Sequence, residues 1–339
     1  MNENILTIIS CHTDSDIKIR SLIHNIKFFL EISSHIAIIN SDTFRLIKLK
    51  EKIQEVYKNV IINNKLNDEQ CYAYKNNYED LKYLNNYELR EHWISVGKKE
   101  NRTFFNSMYN IYFDYIPNNK FVCQGKWVHY LNKIDYNNFT NIILTNDSFV
   151  ITRSLFDFKQ LIQPNIELVA LLESYEEKHH YPDFLRAYNV SGIKKILNYY
   201  ETNKENITDF WSVVVNYEIN SSHIFNNVDV LYKNKNEHNK NIHFDDNLMQ
   251  EYIYNKNYPV IKIKKFAFNK YDINKLPLDF DSKEYKVLNN DLKDISDEDA
   301  TKHFLNHGVN EGRLYKKDQV NILPYFLENY LKLISFDPR

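Results

Sequence analysis

Apolar positions along the first two-thirds of the chain alternate between two periods. Ile5–Ser10 is an unbroken β-rich run, and in the following Asp14–Ile32 the apolar Ile19, Leu22, Ile23, Ile26, Phe29 and Leu30 recur at helical spacing. His35–Asn40 is a second β-branched run. Ser41 or Asp42 is placed to cap a helix running toward Tyr57, and Val60–Ile62 predicts a third strand. Strand, helix, strand, helix, strand in that order predicts an α/β fold, a mostly parallel sheet with helices on both faces. The alternation resumes with a strand at Met108–Tyr115, a helix at Gly125–Ile134 and a strand at Asn141–Thr145. Ile166–Leu172 and Phe184–Tyr188 are strand-like, Ser191–Glu201 and the region around Thr208–Ile219 are helical, and Val260–Lys264 predicts a last strand.

Two segments interrupt this pattern and resemble each other. Asp80-Leu81-Lys82, His92, Gly97, Glu100 and Arg102 recur as Asp291-Leu292-Lys293, His303, Gly308, Glu311 and Arg313, each pair 211 positions apart, with Tyr74-Lys75 and Tyr285-Lys286 in the same register. So many matches at one offset make an internal repeat. Each copy reads as a small helical hairpin whose glycine suits a helix C-cap and whose Glu and Arg can pair on the surface. The implied organisation is an α/β domain over residues 1–275 with one copy inserted at 72–105. A C-terminal helical segment, 276–339, carries the second copy at 285–315.

The candidate chemistry gathers where strands end. Asn141–Phe149 is an apolar run that stops on Asn146-Asp147-Ser148. In an open α/β sheet the carboxyl ends of strands are where ligands bind. A carboxylate there, flanked by an amide and a hydroxyl, suits Mg²⁺ or Mn²⁺ carrying phosphate; the same tripeptide also fits an Asx turn capped by Asp147. Ser10-Cys11-His12-Thr13-Asp14 ends the first strand, where Thr13 or Asp14 can also cap the next helix. Asn118 precedes Gln124-Gly125-Lys126-Trp127, a polar lead into a helix start that can meet phosphate, with Trp127 alternatively a core residue. His179-His180-Tyr181-Pro182-Asp183 offers His180 or Asp183 as a general base or metal ligand. His243-Phe244-Asp245-Asp246 reads first as a helix N-cap.

Composition narrows the field. Five glycines form neither a G-x-G-x-x-G nor a phosphate-binding Walker loop, which argues against a dinucleotide enzyme or a P-loop NTPase. A formal net charge of −2 gives no bulk attraction to nucleic acid. No run approaches a membrane span, and Cys11, Cys71 and Cys123 are spaced as reduced thiols of a cytoplasmic protein.

Leu144-Thr-Asn-Asp-Ser-Phe149, Gln124-Gly-Lys-Trp127, His180-Tyr-Pro-Asp-Phe-Leu185 and Ser10-Cys-His12 together resemble glycosyltransferases of the rhamnan-synthesis F type, especially divergent versions encoded by giant DNA viruses. The resemblance runs from about Asn4 to about Lys265. The repeat is similar to a short module found appended to glycosyltransferases. What the resemblance implies is a GT-A-like fold that binds a UDP-, GDP- or dTDP-linked sugar and transfers a hexose or deoxyhexose to a glycan or glycoprotein acceptor in the host cytoplasm. Asp147 would hold Mn²⁺ or Mg²⁺ against the diphosphate. Asn146, Ser148, Ser10, Cys11, His12, Asn118, Gly125, Lys126 and Trp127 would lie about the donor, and Asp183 or His180 would take the acceptor's proton. Cys123 stands where the family often has an acidic residue, and a single Asp replaces the usual D-x-D. Both departures keep open a catalytically degenerate, carbohydrate-binding or scaffold protein.

Overall fold

A computed structural model describes residues 4–12, 16–100, 102–104, 108–117, 121–234, 238–243, 245–263, 276, 280–308 and 313–315. Among them β1 (Ile5–Cys11), β2 (His35–Asn40), β3 (Val60–Ile62), β4 (Tyr109–Tyr115), β5 (Asn141–Asn146), β7 (Leu168–Leu172), β8 (Leu185–Asn189) and β9 (Val228–Tyr232) form one sheet, ordered β3-β4-β2-β1-β5-β8-β7-β9. Seven of these strands run one way and β8 runs against both its neighbours, so the sheet is mostly parallel. The predicted final strand lies elsewhere: β10 (Val260–Lys262) pairs antiparallel with β6 (Phe149–Ile151) in a separate two-stranded ribbon. Its partner β6 follows the turn that ends β5, so the ribbon forms beyond the strand ends of the main sheet.

The uninterrupted apolar strands are explained by cover on both faces. Ile5, Ile9 and Cys11 of β1 pack with α1 (Asp16–Ile32) and α2 (Thr43–Val56), whereas Leu6 and Ile8 pack with α5 (Val122–Leu131) and α7 (Val190–Asn203). Asp42 caps α2, its carboxylate accepting from the Arg45 N–H. Asp245 caps α9 (Asp246–Asn255) in the same way through Leu248, as the sequence suggested. The helix carrying Gly125 begins at Val122, earlier than its composition predicts, so Gly125 sits within the first turn and not at its start.

Residues 68–104, between β3 and β4, build a separate small core of Tyr74, Leu81, Leu89, Trp93 and Phe104 around α3 (Asp68–Asn77) and α4 (Asn86–His92). The second segment repeats its contacts. Tyr74 Oη meets His92 Nδ1 at 3.0 Å, and Tyr285 Oη meets His303 Nδ1 at 3.0 Å. Arg102 Nη1 reaches Asp80 at 2.7 Å, and Arg313 Nη1 reaches Asp291 at 2.6 Å. The surface pairing of Glu100 with Arg102 is present at 2.6 Å, while Glu311 lies outside the described residues.

The shared glycine has a different reason from a C-cap. A Cβ on Gly97 would stand 2.2 Å from Tyr74 Oη, and one on Gly308 would stand 2.1 Å from Tyr285 Oη. Each glycine leaves room for the tyrosine hydroxyl to reach its histidine inside a wide π-turn, Trp93–Gly97 or Phe304–Gly308. Gly97→Ala is therefore expected to destabilise the protein by about 1–3 kcal/mol through overpacking. Urea denaturation should show Gly97→Ala costing less in a Tyr74→Phe background than in the wild type, because the clashing oxygen is gone.

Candidate functional site

The strand order reverses at β1. The chain leaves β1 for β2, β3 and β4 on one side, then crosses to β5 on the other. That switch point opens a crevice beyond the carboxyl ends of β1 and β5, and His12, Asn146, Asp147 and Ser148 meet there. The His12 N–H donates to Asp147 Oδ2 at 2.7 Å, and the Asp147 N–H donates to the Ser10 carbonyl at 3.2 Å, tying the two strand ends together. Asn146 Oδ1 accepts from the Ser148 N–H at 3.0 Å and from its hydroxyl at 2.5 Å, the Asx turn of the simpler reading.

Several expected ligand contacts are replaced by structural ones. Ser10, Cys11 and Trp127 are fully buried, and Trp127 Nε1 donates to the Thr145 carbonyl at 3.0 Å, so these three support the crevice from within and touch nothing that enters it. Lys126 is also buried. Its ammonium donates to the Cys11 carbonyl at 2.7 Å and lies 3.3 Å from His12 Nδ1, and burial pulls its pKa down. Its charge is thus used beneath the loop and not on an open phosphate cradle. Gly125 faces a different cavity, between α5 and α7. Asn118, Thr13 and Asp14 lie outside the described residues.

Beside the crevice opens a cavity of about 340 Å³ to which Ser148, His180 and Asp183 all contribute. Asp147 itself is buried behind Ser148, so two of the three residues that an enzyme must bring together line the pocket and the third braces it. The elements that assemble it are distant in sequence. The β6–β10 ribbon sets Lys262 opposite Phe149, which brings its ammonium 2.9 Å from Ser148 Oγ and 4.3 Å above the Phe184 ring. Asn25 pins that ribbon by bonding both the Phe149 carbonyl and the Ile151 N–H at 2.7 Å. Gln124 of α5 donates to Asp183 Oδ2. Glu218, on a π-turn at Val214–Ile219, accepts the Asp183 N–H at 3.3 Å.

Under the two carboxylates lies Arg186, the one charged residue of β8 and only 1% exposed. Its guanidinium donates to the Pro182 carbonyl at 3.3 Å and to the Glu218 carbonyl at 3.1 Å. Burial pushes Asp183 above the ordinary carboxylate range, with Arg186 and Lys262 holding it back. Burial, then the Asp183 charge, pushes Glu218 up to about 8. Two carboxyl groups that cannot both ionise cheaply, over a permanent cation, are the kind of pair from which acid–base chemistry is built. Glu218, Arg186 and Lys262 were missed in the sequence. The available signal was a lone charge within each of two strand-like runs, Leu185–Asn189 and Val260–Lys262, because a charged residue in a buried strand needs a partner.

His180 does not suit the role of base. Its Nδ1–H donates to the Lys178 carbonyl at 2.7 Å, and burial pulls its pKa down to about 4. His24, bonded through Nε2 to the Ile151 carbonyl, is likewise drawn down to about 4 by burial. Both rings are neutral in the native state and protonate near pH 6.5 once unfolded, so the unfolded chain binds more protons between pH 6.5 and 4. Stability is expected to be lost as pH falls through that window, by up to about 1.4 kcal/mol per pH unit for each ring. His180→Gln should remove that ring's share of the loss between pH 6.5 and 5 in urea midpoints, and an unchanged slope would contradict the assignment.

A divalent ion needs several oxygen ligands, one or two of them carboxylates. Among the described residues no three His, Cys, Asp or Glu side chains converge on such a point. Asp147 Oδ2 already accepts from the His12 N–H, Asn146 Oδ1 accepts from Ser148, and Ser148 Oγ accepts from Lys262. At the end of β5 the Lys262 ammonium supplies a positive charge beside Ser148 Oγ. No described helix is long and apolar enough to cross a membrane. No family model matches the chain, and no curated protein matches it.

Proposed function

We propose that the protein is a glycosyltransferase of GT-A-like fold that moves a sugar from a nucleotide-sugar donor to an acceptor hydroxyl. The observation that carries this reading is Asp183. It is a carboxylate of raised basicity, held by Gln124 and compensated by Arg186 and Lys262, on the wall of a pocket that also contains the polar end of β5. The mostly parallel sheet with its switch point at β1 and β5 supports the fold half of the proposal, as do the sequence features that resemble rhamnan-synthesis transferases.

In this reading the donor lies along the strand ends, with Ser148 and Lys262 toward its phosphates. As the bond from the sugar to the nucleoside diphosphate breaks, negative charge grows on the departing oxygen, and the fixed Lys262 ammonium meets it without reorganising. Asp183 takes the proton from the attacking hydroxyl if the anomeric centre inverts. Glu218, protonated at neutral pH, leaves Asp183 as the ionised member of the pair. The two repeats take no part in these steps.

A thermal-shift screen against UDP-, GDP- and dTDP-sugars, with and without Mn²⁺ or Mg²⁺, tests donor binding. A ligand at about 100 times its Kd adds about 2.7 kcal/mol to the folded state. One nucleotide class is expected to raise the melting point in wild type and Glu176→Gln but not in Lys262→Gln. No shift with any donor, in a protein that melts cooperatively, would favour the catalytically degenerate alternative.

A further inference from the structure

The pocket wall opposite the strand ends has two features that donor binding does not use. One is aromatic. Trp211 is 56% exposed and Phe210 66% exposed, both at the pocket, whereas the chain's other tryptophans, Trp93 and Trp127, are buried. The turn that carries them is capped at its start: Asp209 accepts the Ser212 N–H at 2.8 Å, and Ser212 Oγ accepts the Asp209 N–H at 3.0 Å. An exposed indole beside a cavity is a ready surface for an apolar ligand face.

The other feature is charge. Besides Asp183 and Glu218, whose burial favours their protonated forms, the lining holds Glu173, Glu176 and Glu177 against two ammoniums. Of the ammoniums, Lys240 is paired with Asp245 at 3.0 Å and Lys262 is turned to Ser148. The outer carboxylates are fixed: Glu173 accepts the Asn234 N–H at 2.6 Å and Glu176 accepts from Asn241 Nδ2 at 2.6 Å. A fixed acidic wall accepts hydrogen bonds from hydroxyl or amine donors and repels anions. A sugar ring presents an apolar C–H face to stack on an aromatic and hydroxyls around its rim, which suits this wall. A cavity of about 340 Å³ gives room for the end of a glycan.

We propose that the wall of this pocket opposite Ser148 and Lys262 is the acceptor subsite, that Trp211 is the platform for the acceptor's terminal ring, and that the carboxylates of that wall select uncharged or amine-bearing sugars against anionic ones. The acceptor role rests on the transferase reading, whereas the selectivity belongs to the pocket and is tested by binding alone.

Acrylamide quenching of tryptophan fluorescence in the full chain reports on Trp211, because the other two indoles are buried. The probes are methyl glycosides of glucose, rhamnose, glucosamine and glucuronic acid at pH 7. At least one neutral or amine-bearing glycoside is expected to shield Trp211, with the glucuronide at least about tenfold weaker, a difference of 1.4 kcal/mol. By saturation-transfer NMR, Trp211→Ala should weaken binding at least about tenfold and Trp211→Phe should recover most of it. A glucuronide that binds as well as the best neutral glycoside, or a panel that leaves Trp211 fully quenchable, would overturn the proposal. Selective shielding without turnover of any donor would leave the selectivity standing and remove the transferase reading instead.

Discussion

Asp183→Asn is expected to lower sugar transfer by about 10²–10⁴-fold while leaving donor binding and the fold in place, the range for loss of a positioned general base. The amide keeps the shape of the carboxylate and can still bond Gln124. What it cannot do is accept the acceptor's proton. The pH profile gives a second reading of the same residue. Because burial raises Asp183, the acid limb of the wild-type rate should lie above the ordinary carboxylate range, and it should vanish in the residual activity of the variant. His180→Gln should leave that limb unchanged, since the His180 ring is already neutral well below it. If Asp183→Asn transfers sugar at the wild-type rate, Asp183 is not the base.

The largest stability effect is expected at Arg186. Arg186→Met should cost about 3–5 kcal/mol, because it leaves buried carboxylates without their cation. It also removes the donors on the Pro182 and Glu218 carbonyls. The loss should be strongly non-additive with the carboxylates. Adding Asp183→Asn removes the charge that Arg186 compensates, and adding Glu218→Gln removes the carboxyl group coupled to it, so the triple variant should recover much of the loss. Urea denaturation of the wild type, Arg186→Met, the Asp183→Asn/Glu218→Gln variant and the triple variant decides it. An Arg186→Met penalty that persists unchanged in the triple variant would mean that Arg186 acts through packing and its carbonyl bonds alone.

The pH dependence of Arg186→Met should also differ. With the cation gone, the carboxylates are driven further toward their protonated forms, and stability should rise as pH falls through neutrality. Glu218 is held above its unfolded value in the wild type too, so its proton favours the native state below about pH 8. The Glu218 effect and the acid loss from His24 and His180 therefore have opposite signs in overlapping ranges.

The parts of the fold visible in the sequence are those that one short stretch of chain decides. β1, β2 and β5 are continuous apolar runs because helices cover both their faces, and a mostly parallel sheet followed from the strand–helix alternation, though not which strands pair. The repeat was visible because each copy needs the same few residues, and the structure explains them as a tyrosine–histidine bond, the glycine that admits it and an Asp–Arg clasp. β6 escaped because it has three residues and follows the Asx turn directly. β9 escaped because it is a half-buried edge strand whose polar Asp229 interrupts the run.

The candidate site divides along the same line. Asn146, Asp147 and Ser148 were visible as a strand end, since an apolar run that stops on polar residues is a local signal. Which of them faces the pocket depends on the β6–β10 ribbon, which joins Phe149 to Lys262 across more than a hundred residues. Glu218 depends on a π-turn whose widened spacing no helical periodicity foretells. Lys126 and Trp127 looked like donor contacts because they follow a polar loop, yet α5 turns both inward against the ends of β1 and β5.

The central claim is tested most directly by acceptor-dependent release of nucleoside diphosphate. Wild type and Asp183→Asn are incubated with UDP-, GDP- and dTDP-sugars, with and without Mn²⁺, in the presence and absence of the methyl glycosides that shield Trp211. The account predicts release from one donor class, accelerated by a neutral or amine-bearing glycoside and at least about 100-fold slower in Asp183→Asn. Release from no donor by a cooperatively folded wild type, or equal release by Asp183→Asn, would contradict it.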